Sequence, residues 1–176
     1  MKIFIKIALP IIVILIISFL GYCMVQILQS KKMRDEKVIH IPEFELKTLQ
    51  GEIFANSDLK QNIPTMLLYF NSDCEFCQTE TEEIVSNMKK LEDIQIIFVS
   101  NESISEISAF QQKYKLDKYD NIMFLCDSDD KFSKLLELKT IPSSFIYSSE
   151  GILLSKNNGP IKANYLLKSI NQTEKN

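Results

Sequence analysis

The sequence is poor in the residues on which many catalytic and metal sites depend. It holds one histidine, His40, among 176 residues. That removes multi-histidine metal centres and leaves any Cys–His pair dependent on a single side chain. Its four cysteines, Cys23, Cys74, Cys77 and Cys126, are too few and too uneven to staple a small secreted fold. Positive charge is not in excess either, with 20 Lys and Arg against 23 Asp and Glu and a net charge of -3. Phosphate recognition needs clustered cations, so no nucleic acid partner is expected. Repeats and low-complexity tracts are absent as well.

What the chain does have is a long apolar run. Ile7 to Leu28 carries no charge over 22 residues, and about 20 apolar residues span a bilayer core as a helix. The run is longer than a signal-peptide core and no A-x-A-like site closes it. Residues 1–28 are therefore expected to form a retained transmembrane anchor. Tyr22 stands where a lipoprotein processing box needs a small residue, so Cys23 reads as an ordinary membrane-helix residue. Lys31, Lys32, Arg34 and Lys37 outnumber Lys2 and Lys6, which by count favours a cytoplasmic C-terminal side. Long domains translocate largely regardless of charge, and the rest of the chain is read as extracytoplasmic.

Residues 29–40 read as a polar linker, with His40 solvated in it, 41–170 as one domain, and 171–176 as a disordered tail. Within the domain, Phe44–Leu49 and Glu52–Phe54 flank Gln50-Gly51 as a hairpin. Apolar runs predict strands at Thr65–Phe70, Ile94–Ser100 and Ile122–Cys126. Helical spacing predicts helices at Cys74–Leu91, Ile104–Tyr114, Lys131–Leu138 and Ala163–Ile170. Ser143–Tyr147 and Ile152–Ser155 form a closing strand pair. The order is hairpin, then β-α-β-α-β-α-β-β-α. It predicts an α/β fold with a mixed central sheet and helices on both faces.

One pair of cysteines has chemically useful spacing. Cys74 follows a buried strand and the turn Asn71-Ser72-Asp73, and it opens a helix. Free backbone N–H groups and the helix dipole favour a thiolate there, and the thiolate is the attacking species. Cys77 lies one helical turn on, where it can resolve a mixed disulfide. Asp73 and Glu75 disfavour the thiolate, which makes the dithiol a better reductant. Other readings of the pair are half of a zinc site, for which no second pair exists, or two structural cysteines. Cys126 ends a strand and reads as core. Pro142 cannot donate to a ladder, so its place directly before strand Ser143–Tyr147 also needs explaining.

The stretches Tyr69-Phe70-Asn71-Ser72-Asp73-Cys74-Glu75-Phe76-Cys77-Gln78-Thr79-Glu80, Cys126-Asp127-Ser128-Asp129-Asp130 and Ile141-Pro142-Ser143-Ser144-Phe145-Ile146-Tyr147, with Gly151 beyond, resemble the TlpA/ResA-type branch of the thioredoxin-like superfamily. The likeness spans Ile41 to Ile170. It implies a thioredoxin-like fold and a thiol–disulfide oxidoreductase in the bacterial cell membrane, with its domain on the extracytoplasmic (periplasmic) side. Clients would be exported cysteine-containing proteins, and electrons would come from a membrane thiol donor. Cys74 would be the nucleophile, Cys77 the resolving thiol and Pro142 a cis-proline against them. Glu75, Phe76 and Ile141 would meet the client. Glu80 matches the family's acidic position, with proton management of Cys77 or a solvated helix face as its two readings. No cofactor or metal is expected.

Departures from the pattern are Asp73 for the usual Trp, Phe76 for the usual Pro, and Glu82 where a helix-kinking proline often stands. A peroxiredoxin-like peroxidase shares the fold, but its Pro-x-x-x-Thr-x-x-Cys setting is missing before Cys74. A copper-binding module of the same fold would need C-x-x-x-C and a downstream histidine, and the sequence has neither.

Overall fold

The computed structural model describes residues 15–26 and 38–171. The chain divides into two units, Met1–Val38 and Ile39–Asn176. In the first, residues 15–26 form helix α1, whose Leu15, Ile17, Phe19, Leu20 and Tyr22 are each at least 60% exposed. Among the described residues no helix is long and apolar enough to cross a membrane. The rest of the expected anchor, most of the expected linker and all but the first residue of the expected tail lie outside the described residues.

The second unit is built on a seven-stranded mixed sheet. Its elements are β1 (Glu45–Thr48), β2 (Ile53–Ala55), β3 (Thr65–Tyr69), α2 (Glu75–Ser86), β4 (Gln95–Ser100), α3 (Ile104–Lys113), β5 (Ile122–Cys126), α4 (Lys131–Leu135), β6 (Ser143–Tyr147), β7 (Leu153–Asn158) and α5 (Ala163–Asn171). Strand order is β2-β1-β5-β4-β3-β6-β7. Strands β3, β4 and β5 are parallel, and β1, β6 and β7 join by antiparallel pairing. Every residue of β3 and β4 is buried, which is why these strands read as continuous apolar runs rather than alternating ones.

Alternation then sorts the side chains by face. Met66, Leu68, Phe98, Phe124 and Ile146 point to one face. They share a core there with Cys77 and Ile84 of α2, Phe110 of α3, and Leu166 and Ile170 of α5. Phe70 sits at its centre, edge-on to Phe98 with centroids 5.5 Å apart and tilted against Phe110 at 4.7 Å. On the other face Phe44 meets Phe132 of α4 edge-on at 5.3 Å.

Differences from the sequence reading have local causes. Helix α2 ends at Ser86 because the Asn87 side chain donates to the Glu83 carbonyl at 2.9 Å. The chain then tightens into a 3₁₀ turn over Met88–Lys90 that still buries Met88 and Leu91. Helix α4 is three residues shorter than expected and is followed by Glu137 at φ 49°. Residues 39–41, expected in the linker or at the domain's first position, already belong to the fold. Leu153 N–H donates to the Ile39 carbonyl at 2.7 Å, Ile41 N–H donates to Gly151 at 3.2 Å, and His40 bridges Ile152.

Candidate active site

The C-terminal ends of β3 and β4 and the start of β6 meet at the N-terminus of α2, and the cysteines sit at that junction. Cys74 is the N-cap of α2, with extended backbone and no side-chain cap bond. Its sulfur therefore occupies the position from which Ser or Asp oxygens usually accept the first free N–H groups. The turn before it is tied locally, with Asp73 N–H on Asn71 Oδ1 at 3.0 Å and Cys74 N–H on the Asn71 carbonyl at 3.2 Å. Gln78 Nε2 reaches back to the Ser72 carbonyl at 2.8 Å.

The two thiols differ sharply. Cys74 is partly exposed and Cys77 is fully buried, and both are free. Burial pushes the Cys77 thiol far above its ordinary value. A hydrogen bond from the Asn71 backbone opposes this, while the thiol's own bond to Cys74 and the nearby Glu80 charge add to it. Cys74 Sγ also lies 3.8 Å from the carbonyl of Ile141, and the Ile141–Pro142 peptide is cis. Phe76 and Ile141, 64% and 41% exposed, give this end of the molecule an apolar rim beside Cys74. Glu75 is exposed at the same helix start.

Glu80 is not on a solvated face. It is 1% exposed, on the α2 stripe that also carries Cys77, Thr81 and Ile84. Neither carboxyl oxygen makes a well-formed hydrogen bond. Burial pushes its pKa up to about 8, only partly countered by the backbone of Ile161. The structure thus brings Cys74, Cys77, Glu80, Phe76, Ile141 and Pro142 to one place. His40 is exposed on the fold's surface and Cys126 is buried at the end of β5.

Two acidic residues escaped the sequence reading. Asp127, 1% exposed, accepts from Tyr69 Oη at 3.2 Å and from the backbone N–H groups of Phe132 and Ser133, each at 2.9 Å. It fastens the start of α4 to the sheet. Glu102, after β4, holds the turn that carries Ser72. A carboxylate within two residues of a buried strand end was the available signal in both cases. Among the described residues no group of three or more His, Cys, Asp or Glu is placed to hold a metal ion.

Residues 39–156 match the model of the AhpC/TSA family. The chain belongs to the AhpC/TSA family. No curated protein matches it in sequence. Solved structures similar to this AhpC/TSA member include a putative thioredoxin from Neisseria meningitidis, at TM-score 0.64 and 21% identity over 77% of this chain and 89% of that one. Another is a secreted Mycobacterium tuberculosis disulfide oxidoreductase homologous to E. coli DsbE, at TM-score 0.61 and 21% identity over 78% and 98%. StoA from Bacillus subtilis follows at TM-score 0.56 and 22% identity over 72% and 95%. At these identities the likeness establishes the thioredoxin-like fold of the AhpC/TSA chain.

Proposed function

We propose that the protein is a thiol–disulfide oxidoreductase of the TlpA/ResA type that reduces disulfides in exported proteins. The observation that carries this reading is the asymmetry of the two thiols. Cys74 is reachable at a helix N-terminus, and Cys77 is fully buried one helical turn further on. The Cys74 thiolate attacks a client disulfide, forms a Cys74–client bond and releases one client sulfur as a thiolate. Cys77 then loses its proton and attacks Cys74 Sγ. The Cys74–Cys77 bond forms and the second client thiolate leaves. The chain is oxidised by two electrons and the client reduced by two.

Glu80 is suited to take the Cys77 proton, because a carboxyl that titrates near 8 exchanges protons close to neutral pH. Phe76 and the Ile141 backbone receive the client. The printed names of the structural neighbours, a disulfide oxidoreductase among them, support the reaction class. The uncharged run of residues 7–28 and the exposed apolar side chains of α1 support a membrane tether for an extracytoplasmic domain. A membrane thiol donor would re-reduce the pair. Peroxide turnover is the competing chemistry, and Leu67 and Asn71 stand where its Pro and Thr would be.

The test is capture in cells expressing the full chain. Cys77→Ser is expected to accumulate mixed disulfides through Cys74, Cys74→Ser none. Fast peroxide consumption by Cys77→Ser with no captured client would overturn the reading in favour of a peroxidase.

A further inference from the structure

A cavity of about 410 Å³ lies between α4 and the segment that leads into β6. Asn101, Asp130, Ser133, Leu138, Lys139 and Ile141 stand on its wall. Ile141 belongs to the reactive site as well, since its carbonyl is 3.8 Å from Cys74 Sγ. The attacking sulfur and the cavity are therefore neighbours across one residue. The exchange chemistry described above uses nothing else in that wall.

One group in the wall is held ready for a ligand. Asp130 N–H donates to the Asp127 carbonyl at 2.9 Å, and the Asp130 carbonyl accepts from Lys134 N–H and Ser133 Oγ, each at 3.1 Å. Its side chain makes no capping bond to α4. Asn101 Nδ2 fixes the carboxylate through Oδ1 at 2.9 Å and leaves Oδ2 as an acceptor. The ion pair on this segment joins Lys131 to Asp129 at 3.1 Å, so among the described residues no cation neutralises Asp130. A carboxylate already fixed and lacking a counter-ion binds a cation without being reorganised. Leu138 and Ile141 offer apolar surface to the stem of a long side chain. Lys139, the cation of the wall, is exposed, and its ammonium can turn to water. Asp73 and Glu75, exposed on either side of Cys74, draw positive charge to the same end.

We propose that this cavity is a client subsite, which takes a cationic side chain close in sequence to the attacked cysteine and selects it through Asp130. A client extended along the Ile141 backbone advances about 3.3 Å per residue. An arginine or lysine one or two residues from its cysteine then reaches past Ile141 into the cavity. The inference rests on the exchange reading above and names the clients which that reading leaves open.

Peptide disulfides test it. Three alanine-based peptides carry one cysteine, with Arg, Gln or Glu placed two residues to each side. Each is oxidised to its homodimeric disulfide and offered to the reduced full chain. Cys74 attacks the disulfide and releases one peptide thiol; Cys77 then forms the Cys74–Cys77 bond and releases the second. The peptide gains two electrons and the chain loses two, and the peptide thiol is measured by chromatography. The Arg peptide is expected to react about tenfold faster than the Gln peptide, and the Glu peptide slower than either.

Asp130→Asn should bring the Arg-to-Gln ratio below about twofold, and asparagine tolerates the left-handed backbone at φ 55°. Asp129→Asn removes the same charge one residue away, outside the cavity, and should leave the ratio unchanged. Because the ratio compares two substrates on one protein, a partly folded preparation does not alter it. Asn101→Ala, which unfastens the Asp130 carboxylate, should lower the ratio to about threefold and keeps the test open should Asp130→Asn fold poorly. Equal rates for the three peptides, or a Glu peptide faster than the Gln one, would overturn the subsite and leave the exchange reading intact. So would an Arg preference that survives Asp130→Asn, or one lost equally in Asp129→Asn. A wild-type chain that reduces none of the peptides would overturn both.

Discussion

Glu80 and Asp127 are equally buried, each 1% exposed, yet they stand in opposite situations on the two sides of one sheet. Asp127 gathers three donors and joins β3 to α4. Glu80, beneath the cysteines, has no well-formed hydrogen bond and holds its proton until about pH 8. A carboxylate whose acceptors are filled adds to the fold, whereas one left unpaired in a dry site costs stability when it ionises. The comparison separates a carboxylate that builds the domain from one whose cost is tolerated beside reactive sulfur.

The largest effect should come from breaking the satisfied side. Asp127→Ala strands two backbone N–H groups and the Tyr69 hydroxyl, and is expected to lose about 3 kcal/mol of unfolding free energy by denaturant titration. A loss below 1 kcal/mol would show that α4 does not depend on it.

The unsatisfied side should behave in the opposite sense. Because the folded protein keeps the Glu80 proton that the unfolded chain gives up near 4.5, stability contributed by the neutral form is present below that pH and is lost as pH rises to about 8. Glu80→Gln should abolish this slope and exceed wild type by about 2–4 kcal/mol at pH 9, while its disulfide-exchange rate at pH 7 falls by about 100-fold. A variant less stable than wild type at pH 9 would dissolve the contrast with Asp127.

The smallest expected effect sharpens the rule on a neutral group. Tyr147 is fully buried with its hydroxyl unpartnered, so Tyr147→Phe should be neutral or stabilising by up to about 1 kcal/mol. A clear loss of stability in calorimetry would mean that the hydroxyl has an internal partner after all.

Much of this was legible in the sequence, for physical reasons that also mark where it stopped. Strands β3, β4 and β5 announce themselves because both their faces are buried. The CxxC is legible because its chemistry needs a fixed spacing at a helix start. Strand β7 runs on to Asn158 through Ser155, Lys156 and Asn157, which carry no apolar alternation. It pairs with β6, and Lys156 lies over the Phe145 ring at 5.1 Å. The burial of Glu80 follows from its place on the Cys77–Ile84 stripe, but its lack of partners depends on loops 80 residues downstream. Glu102 and Asp127 act on Ser72 and Tyr69, 30 and 58 residues away in the chain. No local pattern encodes such reach.

The bonds between residues 39–41 and the turn at 151–153 have a practical meaning. That turn follows the far end of β6, whose near end adjoins Pro142 and the cysteines, so a five-residue strand of about 16 Å separates them. The polypeptide thus joins this unit at the pole away from its sulfur chemistry. A handle grafted before Ile39, whether a solid support, a fluorophore or a foreign stalk, would grip the domain by its back and leave the cysteine end uncovered.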